Sequence, residues 1–266
     1  MDASRTSVVF VHGLWLHAES WNPWVDAFNQ AGYSASAVGW PGDSSTVADT
    51  RAAADCVAGH GLAEVVAHHA TEIAKLGQKP IVVGHSFGGL IAQRLLSDGV
   101  VSAAVAIDPA PAKGVMFLPP SALRVAGIAL RNPANRNRAV SLTKEQFRYG
   151  FGNALTQDES DELWERWAIP SPGRPLFEAA VANFVPHSPA AVDRKSSTRG
   201  PLLITAGGKD HTVPATISRQ TQKLYRKSSA VTDLRTFADR GHSLTIDHGW
   251  RQVADSVLGW LGERGL

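Results

Sequence analysis

Ser86, Asp210 and His242 are the three residue types that together turn a hydroxyl into a nucleophile. At neutral pH a serine hydroxyl attacks poorly. It needs a base, most often an imidazole, which a carboxylate holds in one tautomer. Ser86 lies in Gly84-His85-Ser86-Phe87-Gly88, a G-x-S-x-G match. Ile81, Val82 and Val83 precede it as a short β-branched run, the mark of a strand buried on both faces. After it, Leu90, Ile91, Leu95 and Leu96 fall at helical spacing. A turn this tight strains its central residue, and the flanking glycines let the two backbones approach. The hydroxyl of Ser86 is then presented at the carboxyl edge of a sheet, beside the positive end of a helix dipole. The chemistry such a group supports is attack on a carbonyl, followed by release of a covalently held acyl group.

The elements that must position these residues follow from the rest of the pattern. Ser7 to Val11 reads as a first buried strand that runs into His12-Gly13-Leu14-Trp15. The glycine there permits a sharp turn and leaves N–H groups unpaired, as an oxyanion hole requires. A helix is predicted over Glu19–Ala31 with Gly32 as its stop, a strand over Tyr33–Val38, and a loop with one short helical turn over 43–58. Leu62–Leu76 forms a helix; His68 and His69 on it cannot face one metal and are read as surface or interface residues. Val101–Ile107 is a strand ending at Asp108-Pro109. Later strands over 201–206 and 231–237 end at Gly207-Gly208-Lys209-Asp210 and shortly before Gly241-His242. A helix over Val213–Tyr225 lies between them, and a last one spans 250–261, with Asp247 as its N-cap. Ser86, Asp210 and His242 each follow a strand end, so a parallel sheet collects them on one edge.

Between Ala112 and Arg199 the alternation of strands and helices stops. Helical patches, many prolines and a high aromatic load take its place, from Phe117, Phe147, Tyr149 and Phe151 to Trp164, Trp167, Phe177 and Phe184. Thr156–Trp167 is a helix with Thr156 as N-cap and Glu159 completing a capping box. The stretch is too long for a loop and reads as a helical lid, 112–199, set into a core of 1–111 and 200–266 just before the strand that carries Asp210. Its aromatics are expected to pack a small core of its own, with one or two lining an apolar pocket.

His12-Gly13-Leu14, Gly84 to Gly88, Gly207 to Asp210 and Gly241-His242 resemble the corresponding motifs of the α/β-hydrolase superfamily, over nearly the whole chain. Phe10 to Trp21 is similar to small esterases and the plant methylesterase/hydroxynitrile-lyase group. The resemblance implies an α/β fold with a mainly parallel sheet of about six strands flanked by helices, without the superfamily's first two. It implies Ser86 as nucleophile, His242 as general base and then acid, and Asp210 as the group that orients it. The backbone N–H groups of Leu14 and Phe87 would form the oxyanion hole. Asp108 also follows a strand end, where some relatives carry the acid, and it stays open as the alternative. His12 is expected to brace the oxyanion loop and His85 to pack beside the elbow. His17 and His211 are read as loop residues, His17 with the option of lining the pocket, and Asp239 as too local to reach behind His242.

The activity implied is hydrolysis of small to medium apolar carboxylic esters, lactones among them, through an acyl-enzyme. The alternative is a non-hydrolytic use of the same residues, as in hydroxynitrile lyases or cofactor-free haloperoxidases and perhydrolases. Against a lyase, no lysine stands evidently near the base, the direction of Lys209 being open. A non-catalytic small-molecule receptor on the same fold is a third reading. No cofactor is implied, and no His, Cys and carboxylate group shows metal-ligand spacing.

Composition excludes several other classes. With 266 residues, 44% hydrophobic and 19% charged, the chain supports a sizeable core. A net charge of +2 with scattered basic residues does not point to nucleic acid. One cysteine, Cys56, permits no disulfide framework within the chain. No apolar run approaches the roughly 20 residues of a membrane span. The N-terminal residues carry no apolar targeting segment, so a cytoplasmic location without a membrane partner is expected. The partner expected is a small-molecule ester; the sequence leaves the oligomeric state open.

Overall fold

The computed structural model describes residues 5–266. The reading of the N-terminus as free of a targeting segment falls partly on residues 1–4, outside that range. Eight strands and ten α-helices follow in the order β1 (Ser7–Val11), α1 (Asn22–Gln30), β2 (Ser34–Val38), α2 (Val47–Ala52), α3 (Leu62–Ala74), β3 (Ile81–His85), α4 (Phe87–Ser97) and β4 (Ala103–Ile107). Then come α5 (Pro120–Leu130), β5 (Ala139–Val140), α6 (Lys144–Gly150), α7 (Gln157–Trp167), β6 (Ser171–Pro172) and α8 (Arg174–Ala180). β7 (Leu202–Gly207), α9 (Ala215–Leu224), β8 (Thr232–Phe237) and α10 (Trp250–Gly262) complete the chain.

Six strands make one sheet in the order β2-β1-β3-β4-β7-β8, every pair parallel. The expected six-stranded α/β architecture is therefore what the chain adopts. Alternation along each strand divides the core in two, because successive side chains point to opposite faces. Val8, Phe10, Ile81, Val83, Val105 and Leu203 meet α1 and α10 on one side, packed among Trp21, Trp24, Phe28 and Trp260. Phe10 sits at the centre of that cluster, 4.9 Å from Trp21 and 5.1 Å from Phe28 between ring centroids. Full burial of each large side chain stabilises by about 1.5–3 kcal/mol. On the other side Val9, Val11, Val82, Ala104, Leu202 and Ile204 face α3 and α4.

Residues 112–199 lie between β4 and β7 and hold four helices and the two-residue antiparallel pair β5–β6. Phe147, Phe151 and Trp167 belong to the same buried cluster as Val11 and Leu90, so these aromatics are continuous with the sheet's core. The physical reason is contact area: a few short helices cannot bury their own apolar faces without the surface beneath them.

Three local expectations change. His69 is fully buried, with Nδ1 on the Val65 carbonyl at 2.8 Å, rather than at the surface. Burial pushes it down to about 4, so it stays neutral. Thr156 caps α7 as expected, but the Glu159 carboxylate binds His248 instead of closing a capping box. The box forms one helix earlier, between Thr143 and Gln146 on α6. Asp247 does not cap α10, whose N-cap is Gly249; it is buried, bound to Ser243 and paired with Arg240.

Candidate active site

The turn from β3 into α4 takes place at Ser86, with φ 57° and ψ −120°. A non-glycine residue held there stores about 1–3 kcal/mol, which persists only where surrounding contacts impose it. Those contacts are visible. A Cβ on Gly84 would lie 2.0 Å from the Gly88 carbonyl oxygen, and one on Gly88 would lie 2.1 Å from that of Val11. The Ser86 N–H donates to Ile107 at 2.9 Å, and its carbonyl accepts from Gly89 and Ala110. Strand, helix and neighbouring strand thus fix the serine, and it is 5% exposed.

The segment after β1 passes against it. A Cβ on Gly13 would come within 2.7 Å of Ser86 Cβ, so only glycine lets this backbone approach so closely. The next N–H, that of Leu14, has no acceptor among the described residues. The Phe87 N–H is the first of α4, where a helix provides no internal acceptor. His12 braces the loop as expected, with Nδ1 2.8 Å from the Gly13 carbonyl and Nε2 2.9 Å from Asp43. Trp15 adopts a positive φ of 67°. Its N–H donates to Ser171 Oγ at 2.6 Å and its indole to the Val140 carbonyl at 3.0 Å. Ser171 and Val140 are supports that sequence reasoning missed. They lie more than 120 residues away, and no local pattern announces them.

Asp210 and His242 are joined through Oδ2 and Nδ1 at 2.6 Å, both side chains fully buried. Asp210 Oδ1 accepts from the backbone N–H groups of Thr212 (2.7 Å) and Val213 (2.8 Å), which fix the carboxylate's plane. The imidazole sits between His85 and Phe151, at centroid distances of 4.5 and 4.8 Å. Its Nε2 has no partner among the described residues, and the Ser86 hydroxyl makes no hydrogen bond to it. Catalytic hydrogen bonds of this kind commonly close only with substrate in place.

Burial pushes His242 down to about 4, partly offset by the nearby Asp108. Burial likewise pushes Asp210 up, opposed by its hydrogen bonds. A base must be neutral to accept a proton, and a lowered pKa keeps it neutral to lower pH. Asp210, raised to about 7, takes up a proton first, so ester kcat/KM is expected to fall as the pH drops through about 7 and the carboxylate that holds the imidazole tautomer is lost. A pH–rate profile that stayed level down to pH 5 would contradict this.

Asp108, the alternative acid, is also fully buried and has a positive φ of 43°. It accepts from the Gly207 N–H at 3.0 Å and the Thr205 hydroxyl at 3.2 Å, and makes no bond to the imidazole. Burial first, and the adjoining Asp210 second, push it well above the usual carboxylate range. Asp108, Asp210 and His242 bring one ligand atom each within 4.8 Å of the others. The 2.6 Å contact is a hydrogen bond, shorter than the roughly 3.3 Å between two ligands of one tetrahedral zinc ion. The set is built for a proton rather than a cation.

The other candidates lie elsewhere. Asp239 is 91% exposed and within 3.9 Å of Lys209 Nζ, so both turn away from His242. His17 lies in the loop after β1 as expected, but buried rather than exposed, bound to Ser44 O and the Glu19 N–H. His211 contacts the Tyr149 carbonyl at 3.0 Å.

A cavity of about 200 Å³ opens at Ser86. Leu118, Leu123, Val125, Leu130, Leu176 and Ile217 form much of its wall, with Leu14, Trp15 and Phe87 at the serine end. Its polar side chains are Ser86 and Thr212, and the Thr212 hydroxyl is already bonded to the Gly150 carbonyl. None of the aromatics of residues 112–199 reaches it, contrary to expectation. The aromatic-rich segment contributes aliphatic side chains to the wall and keeps several of its rings in the core.

Residues 8–256 match the family model described as the alpha/beta hydrolase family. No curated protein matches the chain. Among solved structures, the monoacylglycerol lipase of Paleococcus ferrophilus is 22% identical, with a TM-score of 0.66 over 96% of this chain and 93% of that one. A methylesterase from Arabidopsis is 17% identical, with a TM-score of 0.64 over 97% and 99%. Polyneuridine aldehyde esterase is 16% identical, with a TM-score of 0.65 over 96% and 99%. At these identities the likeness is one of fold.

Proposed function

Because the chain belongs to the alpha/beta hydrolase family, we propose that it is a serine hydrolase of carboxylic esters with small to medium aliphatic acyl groups. One observation carries the reading: a buried Asp210–His242 pair with a free Nε2 packs against His85, next in the chain to a strained Ser86 that lines an aliphatic cavity. Ser86 Oγ attacks the ester carbonyl while His242 takes its proton, and Asp210 holds the imidazolium that forms. The N–H groups of Leu14 and Phe87 receive the developing oxyanion. His242 then protonates the leaving alkoxide, and water activated by the same imidazole frees the acyl group. Residues 112–199 serve as the lid that shapes the acyl site. The lone, exposed Cys56 accords with a reducing, cytoplasmic setting.

An apolar wall with no spare hydrogen-bonding group selects against charged or hydroxylated acyl chains, whose burial would leave polar groups unpaired. A 150 Å³ cavity holds a benzene, so about 200 Å³ accommodates an acyl chain of roughly six carbons. The lyase alternative wants a cation beside the base, and Lys209 points instead towards Asp239 at the surface.

A p-nitrophenyl ester series from acetate to dodecanoate tests the reading, together with fluorophosphonate labelling of Ser86. Turnover is expected to peak near hexanoate; absence of both labelling and turnover would overturn the proposal. Ala179→Phe, which fills the wall beside Leu176, is expected to lower kcat/KM for octanoate at least about tenfold, while acetate changes less than threefold.

A further inference from the structure

Eight large apolar side chains are exposed among the described residues, and six of them gather in one region: Met116, Phe117, Leu123, Val181, Phe184 and Val185. Phe184 is 85% exposed, Met116 75% and Phe117 60%. Scattered singly, such residues need no explanation; concentrated, they mark an interaction surface. Hydrogen bonds tie the stretches together. The Asn183 amide accepts from the Gly114 N–H at 2.6 Å and donates to the Val115 carbonyl at 2.8 Å. Leu118 and Leu123 from this region also line the cavity at Ser86, so the patch adjoins the cavity.

A basic cleft adjoins the patch. Arg194, Lys195, Lys223, Arg226 and Lys227 line it with Gly114 and Gln220, and no acidic side chain does. None of the five forms an ion pair among the described residues. Gln220 joins the two surfaces: its Oε1 accepts from the N–H groups of Met116 and Phe117, and its Nε2 donates to the Phe117 carbonyl at 2.9 Å. In a chain whose net charge is only +2, five unpaired cations in one cleft are a local concentration.

We propose that this face docks on an anionic phospholipid surface, Met116, Phe117 and Phe184 entering the acyl boundary while the cleft meets headgroup phosphates. Peripheral binding needs both parts, apolar area to enter the interface and basic charge to hold anionic headgroups. A protein partner would leave the charge asymmetry unexplained, whereas a phospholipid surface presents an apolar layer below a charged one. No helix of the described residues is long and apolar enough to cross a membrane, and docking requires none. The cavity would then adjoin the lipid, from which apolar esters partition.

The inference goes beyond the ester chemistry and is tested without it, using the Ser86→Ala protein in vesicle co-sedimentation. Vesicles of phosphatidylcholine with 30% phosphatidylglycerol (a test composition, about one lipid in three anionic) are compared with phosphatidylcholine alone. Binding is expected to be at least about tenfold stronger to the anionic vesicles and to weaken as salt is raised. The triple variant Met116→Ser/Phe117→Ser/Phe184→Ser and the charge variant Lys223→Glu/Arg226→Glu should each lower binding about tenfold or more. Both change exposed side chains, and an unchanged melting temperature verifies the fold. Absence of binding to the anionic vesicles, or equal binding by the variants, overturns the proposal. A dimer in light scattering that the triple variant converts to monomer also overturns it, assigning the patch to a second copy of the chain.

Discussion

Ser86→Ala is expected to lower kcat/KM for p-nitrophenyl hexanoate by about 10⁴-fold or more, a loss of about 5.5 kcal/mol of transition-state stabilisation. The expectation rests on how the serine is held. Its backbone is fixed by bonds to Ile107, Gly89 and Ala110 and by glycines at 84 and 88 that admit no Cβ. None of these involves the hydroxyl, so alanine can occupy the same strained turn and the fold is expected to survive. What disappears is the atom that attacks. The Leu14 and Phe87 N–H groups and the cavity remain, and they account for any residual rate above water. Steady-state kinetics, with near-ultraviolet circular dichroism as the control on folding, decides the matter. A variant that kept a tenth of the activity would remove Ser86 from the mechanism.

The second large effect separates two buried aspartates. Asp210→Asn is expected to reduce kcat by about 10³–10⁴-fold, because an amide in place of Oδ2 removes the carboxylate that holds the imidazole tautomer and balances the imidazolium. Asp108→Asn is expected to stay within tenfold of the original. Burial and the neighbouring Asp210 push the Asp108 carboxyl well above its usual range, so its charge is not what the site depends on. An asparagine there can still accept from the Gly207 N–H and Thr205 hydroxyl through its oxygen. Its amide can donate towards Asp210 as a protonated carboxyl would. The two single variants, compared at pH 7, would exchange the roles if Asp108→Asn proved the more damaging.

Much of the site was legible in the chain because its parts are local. The glycines around Ser86 are required because a Cβ on Gly84 or Gly88 would lie 2.0 or 2.1 Å from a backbone oxygen, and a strand pattern before them and a helix pattern after them set the turn. Asp210 and His242 follow strand ends, and a parallel sheet brings strand ends to one edge whatever lies between them. His69 lies four residues after Val65 and three after Val66, on the buried stripe of α3; its residue type rather than its position suggests the surface, and inside the fold its Nδ1 meets the Val65 carbonyl. Asp247 and Glu159 were read as caps from spacing alone. Each found a partner elsewhere, Arg240 and His248, that no nearest-neighbour pattern encodes.

The sequence by itself determined the six-stranded parallel sheet and the order in which serine, aspartate and histidine arrive at its edge. These depend on period-two and period-3.6 apolar patterns and on glycines whose backbone demands are local. Only the tertiary structure decided what surrounds them. It separated Asp210, bonded to His242 at 2.6 Å, from Asp108, turned to Gly207 and Thr205. It sent Phe147, Phe151 and Trp167 into the common core and left leucines, valines and alanines to line the cavity. Which side chain faces a neighbour many residues away depends on how helices settle on the sheet, and that is fixed by packing rather than by any segment's own pattern.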